Sequence, residues 1–130
     1  MTTSREKARH RNFQLWEFHA GHGCLLIRSP KGPDGGADAA TNLDLLCFDV
    51  AYAESPRFLA GLEIAEPTRL EAAGVAGKIG ARMEGKTLRI LVSGTHRYAI
   101  VAAQFVEQEH DKGVMTSPFS PIRTPRRSPA

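Results

Sequence analysis

The chain has 130 residues and a mass of 14.2 kDa, which suits one domain with its own hydrophobic core. Because 42% of its residues are hydrophobic and 24% are charged, a collagen-like, coiled-coil or wholly disordered chain is excluded. The formal net charge of +3 comes from the two ends of the chain. Residues 1–11 and residues 111–130 each hold four basic residues and one acidic residue. Residues 12–110 hold nine basic and twelve acidic residues. We therefore expect a mildly acidic domain at 12–110 between a disordered basic arm and a disordered tail rich in Pro, Arg and Ser.

The first predicted element is a β-hairpin. Aromatic and apolar residues dominate Asn12–His19, residues 20–23 supply a turn, and Cys24–Ser29 is the returning strand. A polar loop at 30–41, rich in Gly, Pro and Asp, leads to a strand at 43–52. The middle of this strand is apolar on both faces, which indicates that it is covered on both sides.

A shorter strand and the one predicted helix follow. The strand covers 57–64 and is expected to be irregular because of Gly61. The helix covers 67–73, since Pro67 fits its first position and Gly74 fits the position just past its end. A helix this short is not stable alone, so we expect it to pack on the sheet.

A second hairpin is the clearest pattern in the chain. Apolar and polar residues alternate along Thr87–Ser93, residues 94–95 form the turn, and 97–108 is the longest predicted strand. The prediction is a mainly β fold: antiparallel strands in two hairpins with one short helix, arranged as a small sandwich or an open barrel. An α+β layer with the helix covering one face is the alternative.

The cellular setting is predicted from the cysteines and from the apolar runs. No run approaches the roughly 20 apolar residues of a membrane-spanning helix, and no apolar stretch follows the charged N-terminal residues as it does in a secretory signal. Cys24 and Cys47 each lie within an apolar run, as free thiols in a core do. We expect a cytoplasmic protein without membrane contact; a disulfide between neighbouring strands is the alternative.

A glycine-rich stretch at 75–83 (VAGKIGARM) supplies a nucleic-acid hypothesis. Gly77 and Gly80 permit close approach to a sugar-phosphate chain, while Lys78 and Arg82 add charge. The stretch resembles the G-[KR]-x-G core of the KH nucleic-acid-binding module, in which this loop joins two helices, and the resemblance implies nucleic-acid association. The strand that follows leaves no room for a second helix, so a loop crossing closely over the sheet is the alternative. The tail adds three basic residues to the hypothesis: Arg123, Arg126 and Arg127.

A metal hypothesis rests on the first hairpin turn. His19, His22 and Cys24 are residue types that bind zinc, and they bracket that turn. A fourth ligand is missing unless His96 of the second turn lies nearby. The alternatives are two polar turn histidines beside a core cysteine, or a Cys/His nucleophilic pair.

The tail is rich in Ser-Pro and Thr-Pro pairs. They begin at residues 117, 120, 124 and 128. In a cell with a suitable kinase these sites accept phosphate, which would cancel the local positive charge. A solubilising tail is the alternative.

The leading functional hypothesis is a protein-binding module without catalytic activity or cofactor, since no catalytic set stands out at 12–110. The alternatives are a nucleic-acid-associated protein that uses the basic arms and the GKIG loop, and a small metal protein or enzyme built on His19, His22 and Cys24. Four aromatic residues, Trp16, Phe13, Phe18 and Phe48, predict an aromatic core, and a ligand pocket in a small barrel is the alternative. Exposed edges of a small antiparallel sheet also predict a homodimer through strand pairing.

Overall fold

The computed structural model describes residues 4–36 and 39–119, and strands are the main element. The strands are β1 (Asn12–His19), β2 (Cys24–Ser29), β3 (Asn42–Ala53), β4 (Phe58–Ala60), β5 (Glu63–Ala65), β6 (Thr87–Ser93) and β7 (His96–His110). The helices are α1 (Ser4–Ala8) and α2 (Arg69–Ile79), with 3₁₀ turns at Pro33–Gly35 and Gly80–Met83.

All seven strands form one antiparallel sheet with the order β4-β1-β2-β3-β7-β6-β5. The edge strands β4 and β5 follow each other in the chain and are separated only by Gly61 and Leu62. The sheet therefore curls into a half-barrel that brings its edges together. Gly61 makes the connection with a φ of +77°, in the left-handed region that favours glycine.

This architecture confirms the mainly β class and its open-barrel form. Three strands, β1, β2 and β6, have the predicted bounds. The predicted strand at 57–64 is instead two strands of three residues, because the backbone breaks at Gly61. Edges this short offer little to a strand-pairing homodimer, which stays a prediction.

Apolar side chains pack on both faces of the curled sheet. The inner cluster joins its opposite ends, since Leu59 of β4 and Leu91 of β6 both belong to it. A second cluster lies on the outer face, where Val75 of α2 packs with Leu88 and Ile90 of β6. Helix α2 thus covers the outer face at β6 and β7, and a different segment covers β1 to β3.

Helix α2 extends further than the sequence predicted. It begins after Thr68, whose side chain forms a reciprocal capping box with Glu71, and continues through Gly74 to Ile79. The predicted helix at 67–73 is therefore wrong at both ends. Burial of Val75 against the sheet outweighs the low helix propensity of the glycine before it.

Two glycine substitutions are expected to have opposite effects on stability. In Gly61→Ala, the new Cβ lies 2.7 Å from the Arg9 carbonyl oxygen and the left-handed φ is strained, so we expect the free energy of unfolding to fall by about 1–3 kcal/mol. In Gly74→Ala, no atom lies within 4 Å of the new Cβ and the helix gains a better former, so we expect a rise of about 0.5–1 kcal/mol. Urea denaturation measures both, and a neutral Gly61→Ala would contradict this account of the half-barrel closure.

Residues 4–11, expected to be part of a disordered arm, pack on the sheet. Leu62 N–H donates to the Ala8 carbonyl oxygen at 2.9 Å, and Arg11 is only 8% exposed, with its Nε donating to Ser29 Oγ at 2.9 Å. Three basic side chains of residues 5–9 pair with acidic residues: Arg5 with Glu107 at 3.7 Å, Lys7 with Glu109 at 2.8 Å and Arg9 with Glu63 at 3.2 Å. Hydrogen bonds and these ion pairs together hold the arm on the sheet.

Candidate functional site

Arg28 is the largest fully buried side chain of the described residues. It lies on the outer face of β2, in register with Asp44 of β3. Its Nε donates to Asp44 Oδ1 at 2.7 Å, and its Nη2 donates to Asp44 Oδ2 at 2.9 Å. A bidentate pair of this kind offsets the cost of burying two charges only if the remaining donors and acceptors also find partners.

Asp44 receives two further contacts from β7. His110 Nε2 lies 2.8 Å from Asp44 Oδ2, and Gln108 Nε2 donates to the same oxygen at 3.4 Å. Burial is the largest single influence and raises the pKa of the Asp44 carboxyl, but the hydrogen bonds from Arg28, His110 and Gln108 outweigh it, so the pKa lies below its usual value. The carboxylate is therefore a fixed negative charge that orients the Arg28 guanidinium.

The other end of that guanidinium holds the segment after β7, residues 111–119, which we call the strap. Arg28 Nη1 donates to the carbonyl oxygen of Val114 at 2.8 Å and to that of Thr116 at 2.7 Å. Nearer to β7, Asn42 Nδ2 donates to the Lys112 carbonyl oxygen at 2.9 Å. These hydrogen bonds are made to the main chain of the strap, so they do not depend on its side chains.

Side chains hold the far end of the strap. Ser117 Oγ donates to Glu17 Oε2 at 3.0 Å and accepts from the N–H of Phe119 at 3.1 Å. The Phe119 ring stands edge-on to the rings of His19 and Phe48, with centroid distances of 5.3 and 6.0 Å. Glu17 also contacts His19 Nε2 at 2.5 Å, which fixes the imidazole beside the phenyl ring.

The strap lies over a strip of the outer face of β1, β2 and β3, which we call the groove. Four of its residues contact the strap, and two more, Trp16 and Asp44, contact Arg28; the four are Glu17, His19, Arg28 and Phe48. The Trp16 ring centroid lies 5.7 Å from the Arg28 guanidinium carbon. Leu26 and Leu46, on the same face, are buried and give the groove an apolar floor.

The strap does not fill the space next to the groove. A cavity of about 270 Å³, open to solvent, lies between sheet residues, among them Arg28 and His110, and strap residues, among them Lys112 and Ser117. The strap is therefore attached to the sheet at separate points along its length and leaves open space beside them.

The glycine-rich stretch does not form a loop between two helices. Gly77 and Lys78 lie in the last turns of α2, Gly80 follows as its C-cap with a φ of +56°, and Arg82 lies in the 3₁₀ turn before β6. Both the KH-type loop and the loop crossing closely over the sheet are therefore wrong. Lys78 Nζ contacts Tyr52 Oη at 3.2 Å, and hydrogen bonding to that hydroxyl raises the pKa of the lysine.

Some basic residues of the nucleic-acid hypothesis lie among the described residues, and others lie outside them. Arg5, Lys7 and Arg9 are paired with acidic residues, as described above. Arg123, Arg126 and Arg127 lie outside the described residues. Nucleic-acid association through the tail stays a prediction.

The residues of the metal hypothesis do not converge. His19 contacts Glu17 and Phe119, while Cys24 Sγ lies 3.7 Å from the backbone oxygen of His22. Within residues 4–36 and 39–119, no group of three or more His, Cys, Asp or Glu side chains is arranged to hold a metal ion. Both cysteines are free thiols, and burial raises the pKa of Cys47 to about 12, so its thiol is not an activated nucleophile.

The groove was missed from the sequence, although one signal was present. Arg28 and Asp44 are opposite charges within two strands that are mainly apolar. Buried charges are rare unless they are paired, so two such strands in one sheet favour a buried pair. The strand register that places Arg28 opposite Asp44 follows only from the structure.

Comparison with known proteins identifies no relative: no family model matches the chain, and neither a curated protein nor a solved structure matches it. A search of the described helices for one long and apolar enough to cross a membrane found none.

Proposed function

We propose that the protein is a protein-binding module that holds a short, turned segment of a partner protein in the groove, without catalytic activity. The strap is the intramolecular occupant of the same groove. One observation carries the proposal: the buried Arg28 guanidinium, fixed by Asp44, donates to two carbonyl oxygens two residues apart, Val114 and Thr116. The strap presents both carbonyls from a tight turn, in which the Thr116 N–H donates to the Gly113 carbonyl oxygen at 2.9 Å.

Specificity in this proposal comes from the Phe119 end. An aromatic anchor combined with main-chain hydrogen bonds is a common mode of peptide recognition. The strap fills the anchor position with Phe119, three residues after the second bonded carbonyl, and places the small polar Ser117 between them. The favoured partner segment therefore forms a turn like that of the strap and has a small polar residue two positions before an aromatic residue.

The proposed partner competes with the strap. Because the strap follows directly after β7, its effective concentration at the groove is about millimolar. A partner segment binds when it contacts the groove better than the strap does, or when the strap is weakened. This competition makes the groove selective and keeps its apolar floor covered between binding events.

The proposed setting is a reducing cytoplasm. Support comes from the two free thiols, of which Cys47 is fully buried. Such cores occur where disulfides are not formed.

A peptide of strap residues 111–119 (DKGVMTSPF) is expected to bind the full chain saturably when supplied in trans. The matched control is the same peptide with Phe119→Ala, which keeps the main chain and loses the anchor. We expect the control to bind about tenfold more weakly or worse, because it loses two ring contacts. Fluorescence anisotropy of a dye-labelled peptide measures both affinities. Equal affinity of the two peptides, or no saturable binding at millimolar concentration, would contradict the proposal.

A further inference from the structure

We propose that Ser117 is a phosphorylation site that opens the groove, an inference that rests on the proposed function. Ser117 precedes Pro118, the context that proline-directed phosphorylation uses, and its hydroxyl is part of the strap's attachment. Phosphorylation of this hydroxyl therefore removes one of the hydrogen bonds that attach the strap.

The position of the hydroxyl decides the effect of a phosphate. Ser117 Oγ donates its proton to Glu17 Oε2 at 3.0 Å. After phosphorylation this donor is lost, and a group of about two negative charges faces the Glu17 carboxylate instead. The repulsion acts on the strap between its two anchors, Arg28 and the Phe119 pocket.

No fixed cation of the described site compensates for the new charge. Arg28 is committed to Asp44 and to the two strap carbonyls. Lys112 lines the same cavity as Ser117, but it is exposed, and a solvated surface cation contributes little to such a pair. The net effect is release of the strap.

The modification acts on the open form of the strap. The γ-phosphoryl group of a nucleoside triphosphate is transferred to Ser117 Oγ: the bond from phosphorus to the diphosphate oxygen breaks, the Oγ–P bond forms, and the hydroxyl proton leaves. Ser117 is half-buried and hydrogen-bonded when the strap is closed. Phosphorylation therefore traps chains whose strap has opened and prevents reclosure.

Two peptides in trans test the charge effect. The strap peptide 111–119 and its Ser117-phosphorylated form are titrated into the full chain and into the full-length Glu17→Gln variant. On the natural chain we expect the phosphate to weaken binding about tenfold or more, the size of one lost hydrogen bond to a charged group. On Glu17→Gln the difference shrinks, because the repelling carboxylate is gone. An equal effect on both chains, or no effect on either, would overturn the inference.

A second measurement uses the tethered strap. The full chain is prepared with phosphoserine at position 117 and, as a control of equal charge in another Ser-Pro pair, at position 120. We expect faster amide hydrogen exchange at residues 113–119 in the first chain than in the second, and equal exchange in both chains would refute the proposal. The outcomes separate the two proposals: if the plain peptide binds in trans and phosphate at Ser117 changes nothing, only the phosphorylation inference fails. If the plain peptide does not bind, the proposed function fails.

Discussion

Replacing Arg28 with methionine is expected to lower the free energy of unfolding by about 3–5 kcal/mol. The methionine fills much of the same volume, but it leaves the Asp44 carboxylate without its bidentate partner. Both side chains of the pair are fully buried, so water does not take the place of the guanidinium. Urea denaturation of the full chain measures the loss.

The control for Arg28→Met is the same substitution at Arg89. Arg89 lies on β6 and pairs with Glu66 at 3.5 Å, with side chains 34% and 77% exposed. Such a surface pair contributes at most about 1 kcal/mol. The double variant Arg28→Met/Asp44→Leu is expected to regain much of the lost stability, since no charge is left buried. If Arg28→Met lowered the free energy of unfolding no more than Arg89→Met does, the Arg28–Asp44 pair would not be the centre of the groove.

The variant Phe119→Ala of the full chain is expected to bind the strap peptide in trans about tenfold more tightly than the natural chain, or better. The tethered strap loses its edge-on contacts with His19 and Phe48, which contribute about 0.5–1.5 kcal/mol each. The groove is then open more of the time, and the apparent affinity for a competing peptide rises by the same factor as the open fraction.

The matched control for Phe119→Ala is Met115→Ala. Met115 belongs to the same strap, lies between the two bonded carbonyls, and is 77% exposed. Its truncation removes a large apolar side chain but no contact with the groove, so we expect less than about a twofold change in trans binding. A similar gain in affinity for the strap peptide in both variants would mean that the strap is not anchored through Phe119.

The sequence predicts those elements of the fold that local patterns determine. Apolar runs in β1 and β2, alternating apolar residues in β6, and the turn residues that flank them predict these strands at their observed bounds. The predicted end of α2 is wrong. Gly74 is a typical helix terminator, but burial of Val75 on the sheet stabilises the helix beyond this glycine. Packing of this kind depends on residues distant in sequence, which a local pattern does not contain.

The groove escapes sequence analysis for a different reason. The strap has no apolar period, and it belongs to a tail whose Ser-Pro pairs are typical of disorder. Its attachment uses main-chain carbonyls, one hydroxyl and one ring, and none of these leaves a repeating pattern. The last residues of the predicted tail, 120–130, lie outside the described chain.

The most direct test locates a peptide in the groove of the full-length Phe119→Ala chain. A strap peptide carries a nitroxide in place of the exposed Met115 side chain, and NMR follows the indole signal of Trp16, the only tryptophan in the chain. We expect saturable broadening of the Trp16 indole and of β1 and β2 amides, with the amides of α2 unaffected, and recovery when unlabelled peptide is added in excess. Uniform broadening over the whole protein, or none at the groove, would contradict a peptide-binding function.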